Sequence, residues 1–251
     1  MTDTIKQEYD TQAANYTSKN IPLLQLDDEL LISALGDATG DTVLDLAGGS
    51  GLKARIAIDA GAVAVDVVDI SRDMMQEGQK EEKALDRDVI RWFEADISKP
   101  LGHLPLQPQY DIVMAHWPFD HADSMETLEG MLRNTVAYLK PGGRFFGSRV
   151  RDPYAPAVQS GELGVVYKDH EEFPGGVRYR WDILGSFSAG IEAASMNATL
   201  SGATEIYGGF GLVNVQIESY ENTATVRENP QLWESFLQQP AVELVKATKK
   251  L

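Results

Sequence analysis

The sequence predicts an α/β protein built on a mainly parallel sheet with helices on both faces. Three observations carry that prediction. Strand-like and helix-like segments alternate from the first third of the chain to about residue 150, with turn residues between them. No internal repeat or low-complexity tract breaks the rhythm. The chain has 251 residues, of which 43% are apolar, which suits one domain with a modest insertion.

The elements follow in order. "LDDELLISALG" reads as a helix that starts beside Asp27 or Asp28 and ends before Gly36. "TVLDLA" is the first strand, and "GLKARIAIDAG" is a helix stopped by Gly61. "VAVDVVDI" is the second strand. Ser71 caps the next helix, "RDMMQEGQKEEKAL", whose charges form a solvated face. "VIRWFEADI" and "YDIVMA" are the third and fourth strands. Asp123 and Glu126 then have capping-box spacing, and Met125, Leu128, Leu132, Val136 and Leu139 recur at helical intervals. "LKPGGRFFGSRV" is a helix end, a turn and the fifth strand.

Beyond residue 150 the rhythm changes. "EEFPGGVRYRWDI" reads as a hairpin, "FSAGIEAASMNATLSGATEIY" as a helix, and "GGFGLVNVQIESY" as a return to the sheet. Residues 151–187 are expected to be an insertion near the substrate, since long connections in compact domains are often functional. Its aromatic residues, Tyr154, Tyr167, Phe173, Tyr179 and Trp181, suit an apolar pocket wall or a half-exposed strand equally well.

Composition narrows the function. There are 22 basic against 38 acidic side chains, a net charge of −16. Such a field repels phosphate backbones, so no nucleic-acid substrate is expected. Cysteine is absent, which excludes disulfides, thiolate nucleophiles and Cys-ligated metals. The polar start "MTDTIKQEYD" lacks a secretory core, and no apolar run approaches the ~18 residues of a membrane span. A cytoplasmic protein with no membrane partner is expected; the sequence is silent on oligomeric state.

The segment "VLDLAGGSGLKA", residues 43–54, is the chemically informative one. A buried strand runs into a glycine-rich turn and then a helix. Gly49 to Ala54 fit the spacing of a dinucleotide-binding turn, and Asp69 closes the second strand 20 residues after Gly49, where a carboxylate can take ribose hydroxyls. Asp45 argues against a pyrophosphate, because a carboxylate beside the turn opposes phosphates at the helix N-terminus. It suits a cofactor with an ammonium group and no phosphate, as S-adenosylmethionine has. Asp96, in "EADI", can accept from an adenine amino group while the backbone beside Ile97 meets the ring edge.

These residues resemble the class I S-adenosylmethionine-dependent methyltransferases, and most closely the small-molecule branch of quinone biosynthesis and natural products. The family's acidic-x-Gly-x-Gly-x-Gly motif reads Asp45-Leu46-Ala47-Gly48-Gly49-Ser50-Gly51, with Ala47 departing from the first glycine. Asp69 matches the ribose-binding acid, "DIS-x-DM" continues it, and Asp96-Ile97 match the third motif. "YDTQAANYTS" resembles the branch's opening. The match spans about residues 9–150; beyond that it holds only in outline.

The resemblance implies a Rossmann-like seven-stranded sheet of order 3-2-1-4-5-7-6 with the last strand antiparallel. "GGFGLVNVQIESY" would supply one of the final two strands. It implies S-adenosylmethionine as cofactor, with S-adenosylhomocysteine as product. Asp45, Ala47, Gly48, Gly49, Asp69, Ile70, Met74, Asp96, Ile97 and Ala115 would line its site. Residues 1–26 would cover it, with Tyr9 or Tyr16 over the carboxylate end.

"AHWPFDHA", Ala115 to Ala122, leaves the fourth strand where a small-molecule acceptor should meet the methyl group. His116 and His121 are the candidate catalytic bases, since neutral imidazole takes protons near pH 7. His103 and His170 are weaker candidates. Trp117 and Phe119 can stack on an aromatic acceptor or face a sulfonium. Metal assistance is disfavoured, because Ala115 stands where metal-using relatives place an acidic ligand. Two other readings stay open: a protein that senses the cofactor or uses it for a non-methylating reaction, and a nicotinamide-dependent dehydrogenase.

Overall fold

The computed structural model describes residues 2–15, 21–185 and 190–251. Its first half alternates as expected: α1 (Thr2–Gln12), α2 (Pro22–Leu35), β1 (Thr42–Leu46), α3 (Leu52–Asp59), β2 (Ala64–Asp69), α4 (Arg72–Ala84), β3 (Ile90–Glu94), β4 (Tyr110–Met114), α5 (Met125–Ala137) and β5 (Leu139–Val150). The second half holds α6 (Pro156–Ser160), β6 (Val165–Phe173), β7 (Gly176–Ile183), β8 (Ile191–Met196), α7 (Glu205–Gly209), β9 (Leu212–Ile217), α8 (Ala224–Glu228), α9 (Glu234–Gln238) and β10 (Val242–Lys249).

Seven strands form one sheet in the order β3-β2-β1-β4-β5-β10-β9. With β9 and β10 counted as sixth and seventh, this is the Rossmann-like 3-2-1-4-5-7-6 order. Strands β1 to β5 pair in parallel, and β10 runs antiparallel to both β5 and β9. Alternation along the central strands feeds two cores. Val43, Val65 and Val67 pack with α2 and α3 on one face, and Leu44, Leu46 and Val68 pack with α5 on the other. The chain reversal between β1 and β4 leaves a crevice at the carboxyl ends of β1, β2 and β3, where such sheets bind ligands.

A second sheet, β6-β7-β8, is antiparallel throughout. It turns Val165, Tyr167, Tyr179 and Ala193 into the core that also holds Leu23 and Leu24 of α2. The expected hairpin is therefore present. The expected helix over residues 187–207 is not: its described part begins with β8, followed by a 3-10 turn and the short α7. Pairing with β7 along six registered residues overrides the helix-forming alanines.

Three smaller expectations also change. Helix α2 starts at Pro22, a residue pre-shaped for a first helical position, so Asp27 lies inside the helix and is 2% exposed. The cap of α5 is Ser124, whose side chain accepts from the Thr127 N–H at 3.3 Å, rather than Asp123. Leu139 and Lys140 belong to β5 and not to the helix end, because Leu139 already pairs with Tyr110 of β4. Ser71 caps α4 as expected, accepting from the Met74 N–H at 3.2 Å. Among the described residues, no helix is long and apolar enough to cross a membrane.

Candidate active site

The glycine turn after β1 forms the floor of a cavity that opens to solvent. The turn is tight: the Gly51 N–H reaches the Gly48 carbonyl at 2.8 Å. Ala47 holds φ at +61°, a left-handed value that costs a residue with a Cβ on the order of 1–2 kcal/mol. Gly48 has no room for a side chain, since a Cβ there would lie 2.6 Å from Asp45 Oδ2. The turn is thus shaped around the Asp45 carboxylate.

That carboxylate is the least satisfied group in the cavity wall. Asp45 is 1% exposed, and neither of its oxygens has a hydrogen-bond partner. Burial, reinforced by the charge of Asp69, pushes its pKa up to about 7. Asp69 differs. Its two oxygens accept from the N–H groups of Gly49 and Ser71, each at 2.7 Å, so it pins the turn to the end of β2. Burial raises its pKa to about 6, against the pull of those donors. Asp96 closes the row, with Oδ1 accepting from the Ser98 N–H at 2.8 Å. Ala47, Gly48, Gly49, Ile70, Met74 and Ile97 complete this wall.

The opposite wall comes from α2, α3 and the end of β4. Lys53 Nζ sits 2.5 Å from Asp27 Oδ2 and 2.7 Å from Asp28 Oδ1. Burial works against the lysine charge, but the two carboxylates outweigh it and raise the Lys53 pKa. Trp117 donates its indole N–H to Asp27 Oδ2 at 3.2 Å. Its φ of +71° is strained for so bulky a residue, and strain of this kind clusters at functional loops. His116 lines the cavity at 6% exposure. Its Nδ1 lies 2.7 Å from Ser148 Oγ, which donates to Asp27, while its Nε2 is buried and unpartnered. Burial, with the Lys53 ammonium, lowers its pKa well below the ordinary histidine value.

His121 stands further along the same loop. Its Nε2 meets the Tyr9 hydroxyl at 3.0 Å, and burial lowers its pKa to about 4. Asp120 does not pair with it. That carboxyl accepts from the Val150 N–H at 2.9 Å and from Ser195 Oγ at 2.7 Å, and burial raises its pKa to about 7. Tyr9, Leu24, Trp117 and His121 also line a second, adjoining cavity. Tyr167, Tyr179 and Trp181 of the smaller sheet form its aromatic side.

Helix α1 crosses above the main cavity and contributes Ile5 and Tyr9 to it. It is tied down on both sides. Lys6 donates to the Ile70 carbonyl at 2.5 Å and to Glu94 at 3.0 Å. Asp10 accepts from Ser71 Oγ at 2.5 Å. Glu8 accepts from Arg180 at 2.9 Å and from the Glu192 N–H at 2.8 Å.

Nearly all the residues singled out in the sequence therefore converge. Ala115 does not line the cavity: it is fully buried and its N–H donates to the Phe146 carbonyl. Tyr16 lies outside the described residues. His170 is remote from the main cavity, stacked on Tyr154 with Nε2 3.0 Å from the Pro153 carbonyl. Phe119 packs against Phe145 and Tyr207 in the core instead of facing a ligand. Asp27, Lys53 and Ser148 carry no motif and became visible only once the helices and strands were assembled. Among the described residues, no group of three or more His, Asp or Glu is arranged to hold a metal ion.

Comparison with known proteins agrees with this geometry. Residues 43–143 match the family model described as a methyltransferase domain. No curated protein matches the chain. Several solved structures share the fold over nearly the whole chain. The CcbJ methyltransferase from Streptomyces caelestis is 14% identical with a TM-score of 0.65, covering 99% of this chain and 98% of that one. An S-adenosylmethionine-dependent methyltransferase from Mesorhizobium loti is 23% identical with a TM-score of 0.58, covering 89% and 100%. DhpI in complex with SAH is 16% identical with a TM-score of 0.62, covering 99% and 97%. The segment that matches the methyltransferase-domain model runs from β1 into β5 and builds the cavity floor and both carboxylate-bearing strand ends.

Proposed function

We propose that the protein transfers a methyl group from S-adenosylmethionine to an oxygen or nitrogen of a small organic acceptor. The observation that carries this reading is Asp45. A buried carboxylate with no hydrogen bond to either oxygen, at the floor of an open cavity, is stabilised in its ionised form by a cationic ligand. The ammonium end of the cofactor is that cation, whereas a pyrophosphate would meet repulsion.

In this reading Asp45 takes the ammonium and the Ala47–Gly49 turn lets the methionine portion pass. Asp69 takes ribose hydroxyls, Ile70 and Met74 flank the adenine, and Asp96 and Ile97 meet its edge. Tyr9 covers the carboxylate end. When bound, the cofactor supplies an electrophilic methyl group on a sulfonium. The chain's task is alignment and exclusion of water, which α1, Trp117 and the aromatic side of the smaller sheet serve. The aromatic cavity beside Trp117 receives the acceptor, so the 151–187 segment contributes Tyr167, Tyr179 and Trp181 to its binding. His116 is the base. His121, with Nε2 engaged by Tyr9, holds α1 against the loop. The charge of −16 favours a small acceptor over a nucleic acid.

Calorimetry with S-adenosylhomocysteine and with NAD tests the cofactor. Binding of the first and none of the second is expected; the reverse overturns the reading. Asp69→Ala should weaken S-adenosylhomocysteine binding by ~1.5–3 kcal/mol, about 10- to 150-fold. Unchanged affinity would remove the ribose from Asp69. Mass spectrometry of candidate acceptors, showing the gain of one methyl group, then separates a transferase from a protein that only senses the cofactor.

A further inference from the structure

We propose that Ser148 and Asp27 hold His116 in the tautomer whose Nε2 is bare, and that the site therefore takes acceptors whose nucleophile arrives as O–H or N–H. This rests on the methyl-transfer reading above and extends it to the acceptor's chemistry.

Three separate elements meet here: Asp27 from α2, Ser148 from β5, and His116 just past β4. The direction of each hydrogen bond follows from counting protons. A serine hydroxyl has one proton, and Ser148 gives it to Asp27 Oδ1. Asp27 has none to give back, since Lys53 and Trp117 both direct donors at its other oxygen. Ser148 Oγ can then only accept along its 2.7 Å contact with His116 Nδ1, so Nδ1 bears the ring's proton. The opposite tautomer would set two lone pairs against each other at that distance. A neutral imidazole has one N–H, which leaves Nε2 as an acceptor.

That nitrogen is buried, without a partner, on a residue that lines the cavity. A buried acceptor with no donor carries a desolvation cost, which an arriving O–H or N–H removes. A carboxylate or carbanion acceptor brings no such proton and gains nothing from it. As the acceptor's oxygen or nitrogen bonds to the methyl carbon, the carbon–sulfur bond breaks with its electron pair left on sulfur. The acceptor's proton passes to Nε2. Burial and the nearby Lys53 ammonium disfavour the imidazolium, so the proton goes on to solvent when product leaves. His116 is the catalytic residue; Ser148 and Asp27 are positioning residues.

The test is a two-bond proton–nitrogen NMR spectrum of the full chain labelled with ¹⁵N-histidine, near neutral pH. His116 is identified by the signals lost in His116→Gln. A protonated Nδ1 and bare Nε2 are expected; a protonated Nε2 overturns the relay. In Ser148→Ala the signals should shift toward the Nε2-protonated form. Turnover should fall at least about 10-fold and acceptor KM should rise, with S-adenosylhomocysteine affinity unchanged. An unshifted tautomer in that variant also overturns the relay, and should the variant fold poorly the wild-type spectrum decides alone. Methylation confined to carboxylates overturns the acceptor class. Failure to bind S-adenosylhomocysteine overturns the methyl-transfer reading while the tautomer is still read directly.

Discussion

Asp45→Asn is expected to lose S-adenosylhomocysteine about 100-fold or more while making the ligand-free protein harder to unfold. Removing one partner of a buried charge pair costs ~3–5 kcal/mol, and in the bound state the ammonium would lose the Asp45 counter-ion. Without ligand the same carboxylate is a liability, fully enclosed with no hydrogen bond to either oxygen. The sign of the pH effect follows from its raised pKa. An ordinary aspartate ionises near 3.8, and this one at about 7, so between those values the native state holds a proton that the unfolded chain has released. Wild-type stability therefore falls as pH rises through that window, by up to about 4 kcal/mol at 1.36 kcal/mol per unit. Asparagine has no such titration. The melting temperature of Asp45→Asn should match wild type near pH 4, and exceed it by a margin that widens to about pH 7 and then stays constant. Ligand affinity of the wild type should rise over the same interval, with protons released on binding. A margin independent of pH would show that Asp45 is not the buried ionisable group described above.

His116→Gln should lower turnover by about 100-fold or more and leave S-adenosylhomocysteine affinity unchanged. Glutamine keeps comparable bulk and polarity but cannot take the acceptor's proton. Because burial holds the His116 pKa well below 6.5, the base is already unprotonated at neutral pH. At saturating cofactor the wild-type rate should therefore be flat from about pH 6.5 upward and fall only on the acid side. A rate that climbs through pH 7 would point instead to Asp45 or Asp120, whose pKa values lie there. Wild-type turnover in the glutamine variant would exclude His116 as the base.

The cavity wall that carries Asp45, the glycine turn and Asp69 was legible because its geometry is local. Asp45, the glycine turn and Asp69 are set by the ends of two neighbouring strands, and residues close in sequence dictate each turn. The opposite wall was not. Asp27 resembled a helix-starting acid, as acids near helix N-termini usually are, and only Lys53, Ser148 and Trp117 give it another role. Strand β10 was not located for a similar reason. "VELVKATK" places a glutamate among apolar residues, and Glu243 tolerates full burial only because Arg149 and Arg151, more than 90 positions away, both contact it at 2.6 Å. Strand β8 lies in a stretch expected to be helical, and its small alanine side chains suit a strand wedged between β7 and the 3-10 turn after Trp117. In each case the missing information was a partner distant in the chain.

The ties that secure α1 have a kinetic corollary. The Lys6–Glu94 and Glu8–Arg180 pairs are each partly exposed, so mobile ions reach them, and the Debye length at ordinary laboratory ionic strength is only about 8–10 Å. Added salt weakens these two pairs far more than the enclosed carboxylates beneath the helix. Ligand traffic should consequently quicken with ionic strength while equilibrium affinity shifts less, a contrast that stopped-flow measurement of ligand binding can follow.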